Sequence, residues 1–154
     1  MPVIVIGADT PLGTATVRAL LQREGEVRAF ITDPQAVDRF KALRAKVAIG
    51  DISDATHVGG AALNAFSAVL IAEATHDGRE MSFAEKPDDV IAGWAEGLKD
   101  AGVQRAIWVT DTRGHGAEAL LRDAVAELAV LETADLSPGE VGTAVARLDD
   151  AERL

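Results

Sequence analysis

Cysteine and tyrosine are both absent from the 154 residues. Without cysteine there is no disulfide framework, no thiolate nucleophile and no Cys-ligated zinc or iron–sulfur site, and a reducing cytoplasm suits such a chain. Without tyrosine, any mechanism that depends on a phenol as general acid is excluded. Aromatic residues make up only 4% of the chain, and Trp94 and Trp108 are assigned to core or interface rather than to a stacking platform. Positive charge is also scarce. Lys and Arg number 15 against 25 Asp and Glu, a formal net charge of −10, which repels phosphate backbones and anionic lipid headgroups. Nucleic acid and membrane surfaces are therefore not expected as partners. No apolar run approaches the roughly 18 residues of a membrane span, and the opening Met-Pro-Val-Ile-Val-Ile-Gly lacks the basic region of a signal peptide.

What is present is a chain 48% hydrophobic and 26% charged, enough to bury one core as a single domain over 1–154. Val3–Ile6 is wholly apolar and β-branched, the pattern of a strand buried on both faces of a parallel sheet. A glycine-bounded turn follows from Gly7 to Gly13, then a helix with Val17, Ala19, Leu20 and Leu21 near helical spacing. The cycle repeats. A second strand covers 26–32, and a helix begins after Asp33-Pro34, where Asp33 serves as N-cap and Pro34 suits the first turn. A third strand covers 46–50, Ser53 or Asp54 caps a helix running towards Phe66, and a fourth strand covers 68–72. Residues 73–86 have no period and form a long loop. A helix over 87–100 carries Val90, Ile91, Trp94 and Leu98 on one face and ends at Gly102. Arg105–Thr110 gives a fifth strand. Two helices close the chain, over 117–133 and Pro138–Asp150, the latter opened by a Ser137–Glu140 capping box.

Five strands alternating with helices require parallel pairing and right-handed crossovers. The fold class is thus a doubly wound, Rossmann-like α/β sheet of order 3-2-1-4-5. Ligands in such sheets bind outside the carboxyl ends of the strands, where the order reverses between the first and fourth.

Gly7-Ala8-Asp9-Thr10-Pro11-Leu12-Gly13, set between a strand and a helix, resembles the nucleotide loop of the atypical short-chain dehydrogenases and the related NmrA-like and NAD(P)H-binding proteins, whose usual form is G-A-T-G-x-x-G. Three further segments match in order: Gly25 to Phe30 the family's second strand, Gly50-Asp51-Ile52 its turn after the third, and Ala101 to Arg105 the approach to the fifth. The resemblance covers roughly the first 110 residues. It implies a dinucleotide, NAD or NADP, held by Gly7, Thr10, Leu12, Gly13, Thr32, Asp51 and Ile52. Gly7 makes the sharp turn and Gly13 lets the helix approach the sheet. Thr10 stands where the family has its middle glycine, and its side chain either obstructs the diphosphate or hydrogen-bonds it. At the end of the second strand, an acid would select the ribose 2′-hydroxyl and an arginine the 2′-phosphate. Ile31 and Thr32 supply neither. Asp33 is read as a helix cap or as a ribose ligand. Asp51 resembles the residue that meets the adenine edge and Ile52 the one beside the ring.

The family's usual Tyr-x-x-x-Lys pair cannot exist here. Thr110 matches the serine after the fifth strand, and Asp111, Thr112, Arg113 and His115 follow it, making Thr110 and His115 the candidate catalytic residues. Glu73 and His76 are three apart at a strand end, a poor metal pair, so no metal is expected. No serine lies in a Gly-x-Ser-x-Gly elbow, and the glycine loop lacks the Lys-Ser/Thr ending of an NTPase phosphate loop. Asp88-Asp89 and Asp149-Asp150 read as solvated helix ends. Residues 111–154 leave little room for a substrate domain. The expected function is either a small NAD(P)H-dependent reductase working without tyrosine, or a non-catalytic dinucleotide sensor or protein-interaction module on the same scaffold. A homodimer through the helices flanking the fourth and fifth strands is the expected assembly.

Overall fold

The computed structural model describes residues 1–112 and 115–154, with the side chain of His115 outside the described set. Six parallel strands form one sheet in the order β3-β2-β1-β4-β5-β6: β1 (Val3–Ile6), β2 (Val27–Ile31), β3 (Lys46–Ile49), β4 (Ser67–Ile71), β5 (Arg105–Thr110) and β6 (Glu127–Glu132). The helices are α1 (Pro11–Leu20), α2 (Val37–Ala42), α3 (Ala55–Ala61), α4 (Pro87–Ala101), α5 (His115–Ala124) and α6 (Pro138–Asp150), with short 3-10 turns at Pro34–Ala36 and Ala72–Thr75. The expected order 3-2-1-4-5 is present, with a sixth strand added beyond β5. Among the described residues, no helix is long and apolar enough to cross a membrane.

The sixth strand corrects the helix expected over 117–133. Leu121, Ala124, Val125, Leu128 and Leu131 satisfy a helical stripe, yet the same run satisfies a period of two. Leu128 and Val130 pack on one side of the sheet, Ala129 and Leu131 on the other. What decides is the neighbour. All six residues of β5 are buried, and its free edge would leave backbone groups without partners. Pairing from Arg105↔Glu127 through Thr110↔Glu132 satisfies them.

Alternation along the strands divides the core in two. Ile4 and Ile6 face α3, α4 and α5, where Trp94 meets Trp108 edge-on at 6.3 Å between ring centroids. Val3 and Val5 face α1, α2 and α6, with Val17, Leu20, Val141 and Val145. The helix ends follow their caps. Asp54 accepts from Thr56 N and His57 N, Ser137 and Glu140 form the expected capping box, and Gly102 terminates α4 at φ 73°. At the amino-terminal end of the sheet, Arg105 is 2% exposed and stacks over Phe66. It donates to Glu127 Oε2 at 2.8 Å and to the carbonyls of Leu148 and Asp149 at the end of α6 at 3.2 and 2.8 Å. One cation thereby joins β5, β6 and the orphan carbonyls of the last helix.

Candidate functional site

The turn after β1 is built for close approach. Gly7 has φ 87°, and an added Cβ there would lie 2.7 Å from Ala74 Cβ. At Gly13 a Cβ would collide with Gly7 O and lie 2.7 Å from Ala8 Cα, so α1 seats on β1 only because position 13 has no side chain. Thr10 resolves the alternatives posed for it in a third way. Its side chain turns inward, 2% exposed, with Oγ1 donating to Gly7 O at 2.8 Å and accepting from Gly13 N at 2.9 Å. It caps α1 and neither fills the loop mouth nor offers its hydroxyl to a ligand. Pro11 has no N–H and Gly13 N is engaged, which leaves Leu12 N as the first-turn donor without a partner among the described residues. That donor and the positive end of α1 make a site for one anionic group.

The end of β2 holds a group that sequence reasoning missed. Asp9 Oδ2 accepts from Thr32 N at 2.9 Å and Asp33 N at 3.1 Å. Its Oδ1 meets Arg79 Nη1 at 2.8 Å, and the same nitrogen donates to Thr32 Oγ1 at 3.1 Å. Arg79 is also held by both oxygens of Asp77, through Nε at 2.9 Å and Nη2 at 2.7 Å. Burial alone would lower the Arg79 pKa, but the two carboxylates outweigh it and raise it. At Asp77, burial raises and the Arg79 hydrogen bond lowers, with a net depression. Asp33 itself caps the following turn through Gln35 N, the first of its two expected roles.

The segment carrying Arg79 continues across the end of β3. Asp51 Oδ1 accepts from Ser53 N at 2.9 Å and from Ser53 Oγ, and its Oδ2 accepts from Ser82 N at 2.8 Å. Phe83 N donates to Ser53 Oγ at 3.0 Å. Burial is the largest influence on Asp51 and would raise its pKa; the hydrogen bonds from Ser53 and Ser82 overcome it and hold the carboxyl below its ordinary value. Residues 76–86 thus form a strap laid over the ends of β1, β2 and β3. Ile52, expected beside a ligand ring, is fully buried in the core, and its carbonyl accepts from Trp94 Nε1 at 2.9 Å.

On the other side of the strand-order reversal, a crevice of about 260 Å³ opens between Leu12, Glu73, His76, Thr110, Asp111 and Thr133. It lies at the carboxyl ends of β4, β5 and β6, against the amino end of α1. Thr110 is nearly buried at its floor and donates to Thr112 O at 2.7 Å. Arg113 lies outside the described residues, as does the His115 side chain. A cleft of about 300 Å³ at the opposite end of the sheet has its arginines already paired, Arg23 with Asp149 and Asp150, and Arg105 with Glu127.

A family model described as NAD(P)H-binding matches residues 7–136. The chain belongs to this NAD(P)H-binding family. No curated protein matches its sequence, whereas solved structures share its fold. A Citrobacter sp. triphenylmethane reductase complexed with NADP(H) is 13% identical at a TM-score of 0.82, over 99% of this chain and 66% of that one. An anaerobillin reductase from Escherichia coli O157:H7 is 18% identical at 0.71, over 99% and 92%. An NADPH-dependent quinone oxidoreductase from Escherichia coli, complexed with NADPH, is 17% identical at 0.68, over 86% and 48%. The chain spans 65 to 66% of the triphenylmethane reductase. As a family member it has a bare-backbone turn at Gly7 and Gly13 and a free donor at Leu12, which fit a dinucleotide's diphosphate. Asp9, Thr32 and Asp51, at the ends of β1, β2 and β3, are engaged by the strap.

Proposed function

We propose that the protein is a small NAD(P)H-dependent reductase that transfers hydride to a bound conjugated acceptor without a tyrosine acid. The observation that carries this reading is the meeting of two features: the turn with its free Leu12 donor, and the crevice of about 260 Å³ that opens beside Leu12 at the reversal of strand order. A bound reduced nicotinamide would supply the hydride. The chain's own contribution is positioning. Gly7 and Gly13 admit the diphosphate to the backbone, Leu12 N donates to it, and Thr10 keeps the loop in shape by capping. Thr32 and Asp51 lie on the adenosine side, with Ile52 fixing the Asp51 turn from within the core. Glu73 and His76 at the crevice rim and Thr110 on its floor shape the acceptor's pocket. Thr110 hydrogen-bonds Thr112 O, so its hydroxyl proton is committed to the backbone and the product proton comes from solvent or from the rim.

The solved relatives are named for reducing triphenylmethane dyes, an anaerobillin and a quinone, and the dyes and the quinone support an acceptor with a conjugated system. The test follows oxidation of NADH and NADPH at 340 nm with a quinone, a flavin or a triphenylmethane dye as acceptor. Turnover that Gly13→Val abolishes supports the reading. Dinucleotide binding without turnover for any acceptor would favour the non-catalytic sensor. The cytoplasm remains the proposed compartment. A two-fold homodimer through α4 and α5 would cover Leu120, which is exposed on α5, and light scattering after size exclusion tests it.

A further inference from the structure

Three donors converge on the Asp9 carboxylate: the adjacent amides of Thr32 and Asp33, and the Arg79 guanidinium. Two neighbouring N–H groups with a guanidinium are the donor set that a phosphate monoester requires. In this chain the set is filled by a resident anion whose side chain is only 7% exposed. The place matters, because the end of the second strand is where a Rossmann sheet meets the adenosine ribose and distinguishes its 2′-hydroxyl from a 2′-phosphate.

We propose that Asp9 is the coenzyme-specificity residue and that it makes the site select NAD(H) over NADP(H). The inference rests on the dinucleotide-binding reading above. A second phosphate arriving here meets Asp9, Asp77 and Asp33, and finds the two amides occupied and Arg79 already paired with Asp9 and Asp77. A neutral ribose meets no such conflict. Asp9 Oδ2 accepts two hydrogen bonds and Oδ1 accepts one, so of the roughly four lone-pair positions of a carboxylate one remains for a hydroxyl. Binding then needs Arg79 and its strap to shift far enough to expose that position. The β2 acid that sequence reading sought at residues 31 and 32 is supplied instead from the glycine loop. Arg18 and Arg39 line the shallow groove on the outer side of Asp9 and are the cations that acceptance of a 2′-phosphate would have to use.

Isothermal titration of the full chain with NADH and with NADPH tests this without any catalytic readout. The expected result is a Kd for NADH at least tenfold below that for NADPH. Asp9→Ser removes the carboxylate and frees the three donors, so NADPH should gain at least tenfold and the ratio should narrow or invert. Adding Arg79→Gln to that variant should cancel the gain. Should Asp9→Ser fold poorly, Asp9→Asn keeps an acceptor for the two amides while removing the charge, and must move the ratio in the same direction. Equal or tighter NADPH binding by the unaltered protein overturns the specificity role while leaving the proposed function standing. Binding of neither dinucleotide overturns both.

Discussion

Gly13→Ala is the sharpest test of how the coenzyme loop is assembled. The added Cβ has nowhere to go: it would collide with Gly7 O, lie 2.7 Å from Ala8 Cα and 2.9 Å from Gly7 C. All three obstacles are backbone atoms at the end of a strand whose residues are buried on both faces, so no side-chain rotation relieves them. Relief requires α1 to lift from β1, which loosens its contacts with the sheet and with α6. Overpacking of a rigid site costs about 1–3 kcal/mol and occasionally more, and backbone obstacles place this change near 3 kcal/mol. Domains of this size lose about 2–4 °C of Tm per kcal/mol, so calorimetry should show a fall of roughly 6–12 °C. Dinucleotide affinity should fall with it, since Leu12 N moves with the helix. Gly60→Ala is the matched control. It sits in α3, where an added Cβ meets nothing within 4 Å, and alanine should stabilise by up to about 1 kcal/mol through helix propensity. A Gly13→Ala protein melting within 2 °C of the unaltered chain would refute the seating of α1 described above.

Two other perturbations test the frame and the strap. Arg105→Ala strands Glu127 and the last carbonyls of α6, and should cost about 3–5 kcal/mol in urea denaturation, as breaking a buried pair does; Arg105→Lys should recover only part, because an ammonium cannot span the same fan of acceptors. Asp51 is depressed in the folded state by Ser53 and Ser82 against the opposing effect of burial. Its stabilising contribution is therefore complete above the unfolded value of about 3.9 and is lost as pH falls through the lower folded value. Urea midpoints should then fall more steeply below about pH 4 in the unaltered protein than in Asp51→Asn, with no difference in slope from pH 6 to 8; parallel curves would show that the strap does not rest on that carboxylate.

The frame was readable from the sequence wherever local pattern and tertiary need agree. Val3–Ile6 and the Ala106–Val109 centre of β5 are apolar because both faces are covered, and Asp54, Ser137 and Gly102 sit where helix ends demand them. Residues 127–132 were not readable as a strand, because Leu128 and Leu131 fit a helical stripe and a two-residue alternation equally well; the choice belongs to the edge of β5, a non-local fact. The site divides likewise. Gly7, Gly13 and the Asp51 turn carry spacing signals, whereas Asp9 and Arg79 lie 70 residues apart and meet only because β1 and β4 are neighbours. An acid in the third position of the glycine loop was the one local hint. Ile52 shows how little spacing says about burial: it is a motif position whose side chain lies fully inside the core.

The contact between α1 and α6 bears on how the protein comes into being. Gly142 lies so close to α1 that a Cβ there would come within 2.7 Å of Ala15 O, and Val17 and Leu20 share their buried cluster with Val141 and Val145. Synthesis delivers α1 first and α6 more than a hundred residues later. Throughout that interval at the ribosome, the helix that opens the coenzyme loop has an uncovered apolar flank, open to chaperones and proteases. The glycine turn is thus made well before the helix that holds α1 in place, so a nascent chain cut short before residue 138 would carry its glycine motif intact and α1 still uncovered.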